Sequence, residues 1–443
     1  MSKKLLMNNG GMNNRLKVRY TTTLQYKDNN PEFNSDFVYE SLVYENSDGK
    51  YTKEIYSDYD FTSVKFKSTT KPLTIDYLAI TNNVTSMYEI FYNCSTIKYI
   101  NSSNWDTSSV TDMSNMFYGC TSLTEIKGIE EWDVHKVTTI STMFTRCSSL
   151  KSLDLSKWNI GDVTQSYMLF YNCKKLESIK LFNLNIARIN VLSNIFYRCE
   201  SLKSLDLTPW QATSVESWDL NINSFFSYCS SLTEIKGIEN WNFKVEDMSS
   251  TFQGCSSLTS LDLSKLDTSK LNTLEYTFSN CTSLTSLGGD ISSWDTHNVT
   301  NMGGLFGYCS SLELPSLAQW YTSSVTNMSE MFAGRSNQSI NSLVIENWNT
   351  SSVTNMSWMF YGCVNGWYDL HLNWDTCNVT DMSNMFNRFY DVQDIYINNW
   401  DTSNLSDASN MFLDCQTNSI TVSPDFPYTE EDTGYSSYFI RVY

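Results

Sequence analysis

WDTSSVTDMSNMFYGCTSL, residues 105–123, is the stretch that decides the fold, and it recurs with drift as far as Cys415. Its Met-Phe-x-x-Cys core puts one phenylalanine in each copy, and most copies lie 26 residues apart. The thirteen phenylalanines are Phe91, Phe117, Phe144, Phe170, Phe196, Phe226, Phe252, Phe278, Phe306, Phe332, Phe360, Phe386 and Phe412. Such a period is typical of a solenoid, in which each unit buries its apolar face only by stacking on its neighbours.

A strand signal precedes the tryptophan position in several copies. The pattern is Leu-x-x-Leu-x-Leu, in which alternate leucines face inward and strands of successive coils pair in parallel. It occurs, with one Leu-to-Ile change, at residues 150–155, 176–181, 202–207 and 258–263. Strands of this kind predict a parallel sheet along one side of the solenoid.

The part of the repeat after the tryptophan predicts a turn and then a short helix. Asp-Thr-Ser is a turn former, and Thr111 is expected to cap one or two helical turns. The apolar residues that follow have helical spacing and would face inward: Met113, Met116, Phe117 and Cys120. We therefore predict an α/β repeat solenoid, a right-handed leucine-rich-repeat superhelix with a parallel β-sheet, short helical turns and β-rich caps.

The ends of the chain differ from the repeats. Residues 1–80 contain alternating runs rich in Tyr, Val and Thr, which predict an N-terminal β-rich cap or attachment domain. Residues 81–415 are predicted to form the solenoid of about 13 repeats. Residues 416–443 are again strand-like and predict a C-terminal cap, because an open stack end exposes apolar surface.

The charge and hydropathy of the chain argue against nucleic acid as a partner and against membrane insertion. The chain has 30 Lys+Arg against 48 Asp+Glu, a net charge of -18. Such a field repels phosphate backbones and anionic lipid, so we expect no nucleic-acid binding. No stretch of 18 apolar residues and no secretory signal is visible, so we expect no membrane insertion and synthesis in a cytoplasm.

Eleven of the twelve cysteines hold one position in the repeat, three residues after the phenylalanine, and in two copies Arg335 and Phe389 stand there instead. We therefore predict a ladder of small buried thiols and no disulfide framework. Without Cys-x-x-Cys pairs, no metal and no cofactor is expected. The predicted core residues are Phe117, Cys120, Phe144, Cys147, Phe170, Cys173, Phe252, Cys255, Phe278 and Cys281.

Catalytic motifs are matched only superficially. Asp-Thr-Ser begins at Asp106, Asp267 and Asp401, and Asp-Thr-Gly begins at Asp432, as in the triads of aspartic proteases. The Asp-Thr-Ser triads fall at the repeat turn, which explains them as turn residues. The three histidines have no Cys or Ser partner at a recognisable spacing. We expect no enzyme, and keep a hydrolase with an undetected site as the alternative.

Three groups of residues are candidate binding surfaces. On the strand face, charged side chains should point outward, with a solvated polar sheet as the alternative: Asp154, Lys180, Asp206, Lys236 and Asp262. After the phenylalanine, tyrosines recur that could stack on sugar rings or simply pack between turns: Tyr92, Tyr118, Tyr171, Tyr197 and Tyr361. Near residue 360 the repeat loses its leucines and becomes aromatic: Trp358, Trp367 and Tyr368.

The repeat unit W-D-T-S-x-V-T-x-M-S-x-M-F-x-x-C-x-S-L resembles the BspA-like leucine-rich repeat surface-protein family over residues 84–415. The resemblance implies a non-enzymatic solenoid on microbial surfaces that binds host proteins or other cells. The Lys-Lys-Leu-Leu-Met-Asn-Asn opening is similar to leaders of bacteriophage tail and fibre proteins.

These resemblances lead to two hypotheses. The first is a phage virion appendage that docks to other virion proteins through its N-terminal domain and binds a protein or glycan on the host surface. The second is a bacterial cell-surface adhesin that binds host proteins or glycans. Homo-oligomerisation stays open in both.

Overall fold

The computed structural model describes residues 84–160, 163–185, 189, 191–211, 220–437 and 439–442, together with the backbone of four earlier strands. The opening segment with the phage-like sequence, and most of the predicted domain 1–80, lie outside the described residues. The chain forms two compact units, Met1–Leu184 and Asn185–Tyr443. The predicted boundaries at residues 80 and 415 stay a prediction.

Among the described residues, regular secondary structure consists mostly of short strands joined by turns. The strands are β1 (Lys17–Thr22), β2 (Leu42–Glu45), β3 (Tyr51–Tyr56), β4 (Leu73–Ala79), β5 (Ile97–Asn101), β6 (Glu125–Lys127), β7 (Ser152–Asp154), β8 (Ser178–Lys180), β9 (Leu184–Asn185), β10 (Ser204–Asp206), β11 (Trp210–Gln211), β12 (Leu220–Asn221), β13 (Glu234–Lys236), β14 (Val245–Asp247), β15 (Ser260–Asp262), β16 (Ser286–Gly288), β17 (Val364–His371), β18 (Tyr390–Ile397), β19 (Ser419–Val422) and β20 (Ile440–Arg441). The helical elements within the described ranges are α1 (Glu430–Thr433) and the 3₁₀ turns Ile129–Glu131, Ile238–Asn240, Ile291–Ser293 and Ile340–Leu343.

The first unit joins an antiparallel sheet to parallel coils. Its six-stranded sheet has the order β2-β3-β1-β4-β5-β6. The pairs β2–β3, β3–β1 and β1–β4 are antiparallel, whereas β4–β5 and β5–β6 are parallel. Strand β4 therefore offers its free edge to the first coil strand, so the backbone groups of β5 have partners on both sides.

Coil stacking follows the sequence period in both units. Single-residue parallel bridges connect Ser86, Asp112, Thr139 and Gln165 in the first unit. In the second unit the same ladder runs, with one step through β12 and β14, along Val191, Asn221, Asp247, Thr273, Asn301, Asn327, Asn355, Asp381 and Asp407. The predicted leucine-rich-repeat-like architecture is confirmed as a parallel β-solenoid with very little helix.

One detail differs from the sequence prediction, because the segment after Thr111 is not helical. Asn115 and Gly119 both have left-handed backbone conformations, with φ of 57° and 72°. A left-handed residue every fourth position interrupts a right-handed helix and produces consecutive tight turns. The spacing of the apolar residues therefore identified the buried face correctly but not the backbone conformation.

The hydrogen bonds of this segment explain the turns. The N–H groups of Met113, Asn115, Phe117 and Gly119 donate to carbonyls of the next coil, at 2.8 to 3.1 Å. The intervening N–H groups of Met116 and Tyr118 donate three residues back within the coil. Every second backbone N–H of this segment thus donates to the next coil. A continuous helix would not permit this, since its N–H groups donate to carbonyls of the same helix.

The core consists of stacked columns. The rings of Phe91, Phe117, Phe144 and Phe170 lie parallel, with centroids 5.5 Å apart at each step. In the second unit the column from Phe226 to Phe412 repeats at 5.5 to 6.2 Å. All ten predicted core residues have no exposed surface: Phe117, Cys120, Phe144, Cys147, Phe170, Cys173, Phe252, Cys255, Phe278 and Cys281.

The phenylalanine column of the second unit is covered at Phe412. Where another coil would stack, the carbonyl of Thr433 accepts the N–H of Phe412 at 2.9 Å. The rings of Tyr435 and Phe439 pack edge-on against Phe412, at 6.1 and 5.9 Å. A segment that the sequence describes only as strand-like therefore includes the helix α1 and ends the aromatic column.

Candidate binding surfaces

The charged strand face pairs its own side chains. The ammonium of Lys180 lies 2.7 Å from a carboxylate oxygen of Asp154, and that of Lys236 lies 3.5 Å from Asp206. The hydrogen bond from Lys180, followed by that from Ser156, lowers the pKa of Asp154 to about 2. These strands bury the central residue and expose the flanking ones, except that Asp154 on β7 is half-buried. These charged side chains therefore pair with each other between neighbouring coils.

Asp262 is the one predicted strand-face charge with a different arrangement. Its carboxylate accepts the backbone N–H of Ser264 at 3.0 Å. Hydrogen bonding by Ser264, first through its side chain and then through its backbone N–H, lowers the pKa of Asp262. The neighbouring strand has Gly288 at the paired position, so it offers no lysine there.

The five recurring tyrosines are all half-buried: Tyr92, Tyr118, Tyr171, Tyr197 and Tyr361. Tyr92 and Tyr118 stack with centroids 4.9 Å apart, and the guanidinium of Arg146 lies 5.8 Å from the Tyr118 ring. In the second unit Arg198, the next residue of the same coil, lies 5.7 Å from the Tyr197 ring, and Tyr228 of the next coil packs edge-on against that ring at 6.0 Å. These three tyrosines therefore contact side chains of the coil stack, which favours packing over ligand binding.

Tyr361 belongs to a different environment. The ring of Trp358 lies 4.8 Å from it, tilted by 55°, and the guanidinium of Arg388 donates to its hydroxyl at 3.2 Å. Trp358 is half-buried and has φ of 61°, in the left-handed region. These two predicted residues form one aromatic pair on the turn that precedes β17.

Trp367 and Tyr368 lie together on β17, where the strand bulges. Strands β17 and β18 have eight residues each, while most coil strands have three. Their parallel register shifts between Val364 and Tyr368 and again before Leu370. Gly366 and Trp367 have φ of 67° and 65°, which re-aims the following side chains. Trp367 is 68% exposed and Tyr368 63%, the two largest exposures among the large apolar side chains described.

Two polar side chains of β17 each leave one oxygen atom without a hydrogen-bond partner within the described ranges. Asn365 is fully buried and donates to the carbonyl of Tyr368 at 2.7 Å. The backbone carbonyl of Asn365 accepts the hydroxyl of Ser339 at 2.9 Å. The side-chain Oδ1 atoms of Asn365 and Asp369 are buried and have no hydrogen-bond partner among the described residues. On the same strand pair His371 stacks on Tyr396, with centroids 4.4 Å apart. We name Asn365, Trp367, Tyr368, Asp369, His371 and Tyr396 the β17 aromatic cluster.

Sequence reasoning missed four members of this cluster: Asn365, Asp369, His371 and Tyr396. The dipeptide Asn365-Gly366 inside a strand-like segment is a turn signal that could have indicated the bulge. The pairing of His371 with Tyr396 requires the strand register, which no local pattern contains.

The thiols of the repeat are inert. The Sγ atoms of Cys120, Cys147, Cys173, Cys255 and Cys281 donate to the phenylalanine carbonyl of the preceding coil, at 3.1 to 3.2 Å. Burial raises their pKa, for Cys173 to about 12. Nucleophilic chemistry requires the thiolate, and burial in apolar surroundings suppresses it.

The Asp-Thr-Ser triads are turns. The carboxylates of Asp106, Asp267 and Asp401 accept the backbone N–H two residues later, at 2.9 to 3.2 Å. The hydroxyl of Thr107 donates to the carbonyl of Asp133 in the next coil at 2.8 Å. Asp432 accepts from Thr429 in the capping box of α1. Each carboxylate is therefore bound within its own turn or cap.

Within the described ranges, no three His, Cys, Asp or Glu side chains lie together as a bound metal ion would require. The same residues contain no helix whose length and hydropathy would let it span a bilayer.

A family model described as "Mycoplasma protein of unknown function, DUF285" matches residues 85–210, 220–343 and 335–424. The chain belongs to this family. The three matches of the DUF285 model fall on the stacked coils of both units. The sequence repeat of the family therefore corresponds to the coil of the solenoid. This supports the coarser part of the sequence resemblance, a leucine-rich-repeat protein of the BspA-like type. No curated protein matches the chain.

The solved structures include a chain from "Crystal structure of TLR13-ssRNA13 complex", at 15% sequence identity and a TM-score of 0.19. The match covers 76% of this DUF285 chain and 54% of that chain, so the match spans about half the length of the solved one. At this TM-score the likeness carries no argument about function.

Proposed function

We propose that this chain is a non-catalytic recognition protein displayed on a cell surface, which binds its ligand through the outward face of its coil strands. The observation that carries the proposal is the β17 bulge, where two large aromatic side chains are exposed on a sheet that elsewhere carries mostly polar residues. Repeat scaffolds commonly bind through such laterally extended faces. Membership of a BspA-like repeat family supports a surface role.

The absence of catalysis in this proposal follows from how the reactive groups are held. The repeat thiols are buried with raised pKa, and the carboxylates of the Asp-Thr-Ser triads are bound within turns. A catalytic site needs an accessible nucleophile or a pair of groups with divergent pKa values in a cleft. We therefore expect the purified chain to bind without turning over its ligand.

The virion appendage is the weaker proposal. It depends on the opening segment, which lies outside the described residues, and the family description mentions no virion. No observation on the solenoid favours it over the surface adhesin. Copurification of the chain with phage particles would revive it.

Protease treatment of intact cells tests the proposed function. Antibodies against the purified chain should lose their target when intact producing cells are treated with protease, while a cytoplasmic marker survives. A target that is cleaved only after lysis would contradict surface display. The same antibodies should reduce attachment of the cells to host cells.

A further inference from the structure

The second unit carries all of the net charge of the chain. Residues 1–184 contain 20 Lys+Arg and 20 Asp+Glu, whereas residues 185–443 contain 10 Lys+Arg and 28 Asp+Glu. No lysine follows Lys270. Of the three arginines beyond it, Arg335 is fully buried, and the guanidinium of Arg441 donates to three backbone carbonyls. Few cations therefore remain in the last part of the second unit to neutralise its carboxylates.

The charge is dense in residues 364–415, which contain eight aspartates, one arginine and no lysine or glutamate. We name these residues the acidic coils. Two pairs of aspartates stand at matching positions of neighbouring coils. Asp381 and Asp407 form a parallel bridge. Asp375 and Asp401 each follow the tryptophan of their coil, and the hydroxyl of Thr376 donates to the backbone carbonyl of Asp401 at 2.8 Å.

A third pair lies on the strands of the acidic coils. Asp369 and Asp394 directly precede Leu370 of β17 and Ile395 of β18, which pair in register. Burial, followed by the charges of Asp369 and Asp394, raises the pKa of the Tyr396 hydroxyl, so both carboxylates lie near this ring. Neighbouring coils thus place like charges side by side at three positions of the repeat.

The earlier coils use opposite charges for the same kind of contact. Lysines of one coil pair with carboxylates of another in Lys157–Glu131, Lys180–Asp154 and Lys236–Asp206. Among the described residues of the acidic coils, the one ion pair is Arg388–Asp414, at 3.8 Å. Like charges on neighbouring strands or coils repel and destabilise the stack. A cationic partner would neutralise this repulsion.

The spread of the carboxylates favours an extended partner over a single ion. Asp369, Asp375 and Asp381 belong to the strand, the turn and the bridge position of one coil. Across the part of the chain that the structure describes, no three such groups converge as metal ligands would. Two exposed aromatic side chains, Trp367 and Tyr368, lie on the same strand as Asp369. Aromatic faces attract ammonium and guanidinium groups.

From these observations we infer that the acidic coils are the docking surface for a basic protein segment, whose lysines and arginines pair with the carboxylates and stack on Trp367 and Tyr368. Nucleic acids and other polyanions are repelled by the same field. This inference rests on the proposed function, because it names the partner class of the recognition surface proposed above.

The test is binding of the purified full chain to a fluorescent peptide of alternating lysine and serine, followed by anisotropy, with a glutamate–serine peptide as reference. The wild-type chain should bind the lysine peptide and not the glutamate peptide, and added sodium chloride should weaken binding because it screens exposed charges. The triple variant Asp375→Asn, Asp381→Asn, Asp401→Asn should weaken binding by about tenfold.

A matched control exists in the first unit. Asp106→Asn, Asp112→Asn and Asp133→Asn change the same three repeat positions and the same amount of charge, and should leave binding unchanged. The fold tolerates asparagine at these positions. Asn349 stands at the turn position and Asn355 at the bridge position, and each accepts the backbone N–H two residues later, at 3.1 and 2.9 Å.

The aromatic part of the surface has its own variant. Trp367→Ala should weaken binding of the lysine peptide by about threefold, because a cation–π contact is lost, and Trp367→Phe should retain most of it. Tyr167→Ala, at an exposed aromatic residue of the first unit, should change nothing. Unchanged binding in Trp367→Ala would remove the rings from the docking surface.

Four results would overturn the inference. The first is no preference for the lysine peptide, and the second is equal binding by the two triple variants. The third is saturable binding of calcium ions that displaces the peptide, since the carboxylates would then form a metal site. The fourth is salt-sensitive self-association of the chain in analytical ultracentrifugation that the second-unit triple variant abolishes, since the occupant would then be a second copy.

The two proposals fail in different ways. A chain that is cleaved on intact cells but does not bind the lysine peptide refutes the basic partner and leaves surface recognition standing. A chain that binds the peptide through the acidic coils yet is protected from protease until lysis refutes surface display and leaves the docking surface standing.

Discussion

Two parts of the second unit use the same kind of parallel strand pair differently. Strands β10 and β13 have three residues each, in unbroken register, and the pair carries Asp206 against Lys236 at 3.5 Å. Strands β17 and β18 have eight residues each, with two register shifts, and present Trp367 and Tyr368 to solvent. The first pair satisfies its side chains internally, whereas the second leaves aromatic faces and polar acceptors free of partners among the described residues.

The difference teaches where a repeat protein can specialise. A regular coil contacts a neighbouring coil on each side, so its outward side chains pair with those of the neighbouring coils. Few of its polar groups then stay available to a ligand. A bulge inserts residues into one strand only, and the side chains around it no longer face a matching residue on the next coil. Recognition is therefore expected at the irregular pair.

The largest effect should come from the phenylalanine column. Phe278→Ala removes a fully buried ring that stacks on Phe252 and Phe306, and should lower the free energy of unfolding by about 3–5 kcal/mol. Urea denaturation measures it. Tyr368→Ala, at an exposed ring, should change stability by less than about 0.5 kcal/mol. Equal losses would mean that the aromatic strand pair is also core.

A buried arginine gives the next largest effect. Arg335 replaces the repeat cysteine and has no exposed surface, and its guanidinium donates to the carbonyls of Cys309 and Leu312 and to Gln338 at 2.7 to 3.3 Å. Arg335→Lys cannot reach these acceptors together, so about 1–3 kcal/mol should be lost. Arg388→Lys, at an exposed site, is the control and should be neutral by the same denaturation measurement.

Relief of strain should have the opposite sign. Trp367→Gly places at φ of 65° the residue that best tolerates it, so the free energy of unfolding should rise by about 1 kcal/mol. Thermal unfolding measures this as a higher midpoint. Gly366→Ala, which creates the same strain one residue earlier, should lower the midpoint. A destabilised Trp367→Gly variant would contradict the assignment of strain.

The smallest effect should come from the charged strand face. The pKa of Asp154 is lowered to about 2 by Lys180 and Ser156, so its contribution to stability is complete above about pH 4 and is lost as the pH falls through 2. Because both side chains are well exposed, the pair should contribute less than about 1 kcal/mol. A double-mutant cycle with Asp154→Asn and Lys180→Met measures it, and a coupling well above that value would mean that the face is rigid.

The local sequence was sufficient to predict the solenoid because the same pattern of apolar and turn-forming residues recurs in each repeat. The phenylalanine and cysteine columns, the inward leucines and the turn character of Asp-Thr-Ser all follow from periodicity and residue chemistry. The predicted helix after Thr111 was wrong because the spacing of Met113, Met116, Phe117 and Cys120 fits both a helix and a pair of left-handed turns. Only the sideways hydrogen bonds to the next coil distinguish them.

The sequence by itself determined the period of the solenoid and which side chains are buried, since burial of apolar residues at a fixed interval requires stacking in register. Tertiary structure decided which outward side chains are satisfied. Asp206 and Lys236 lie 30 residues apart along the chain, and their pairing depends on coil stacking. The exposure of Trp367 depends on a bulge in the register of β17 against β18, and that register is set by contacts between strands rather than by the residues of one strand.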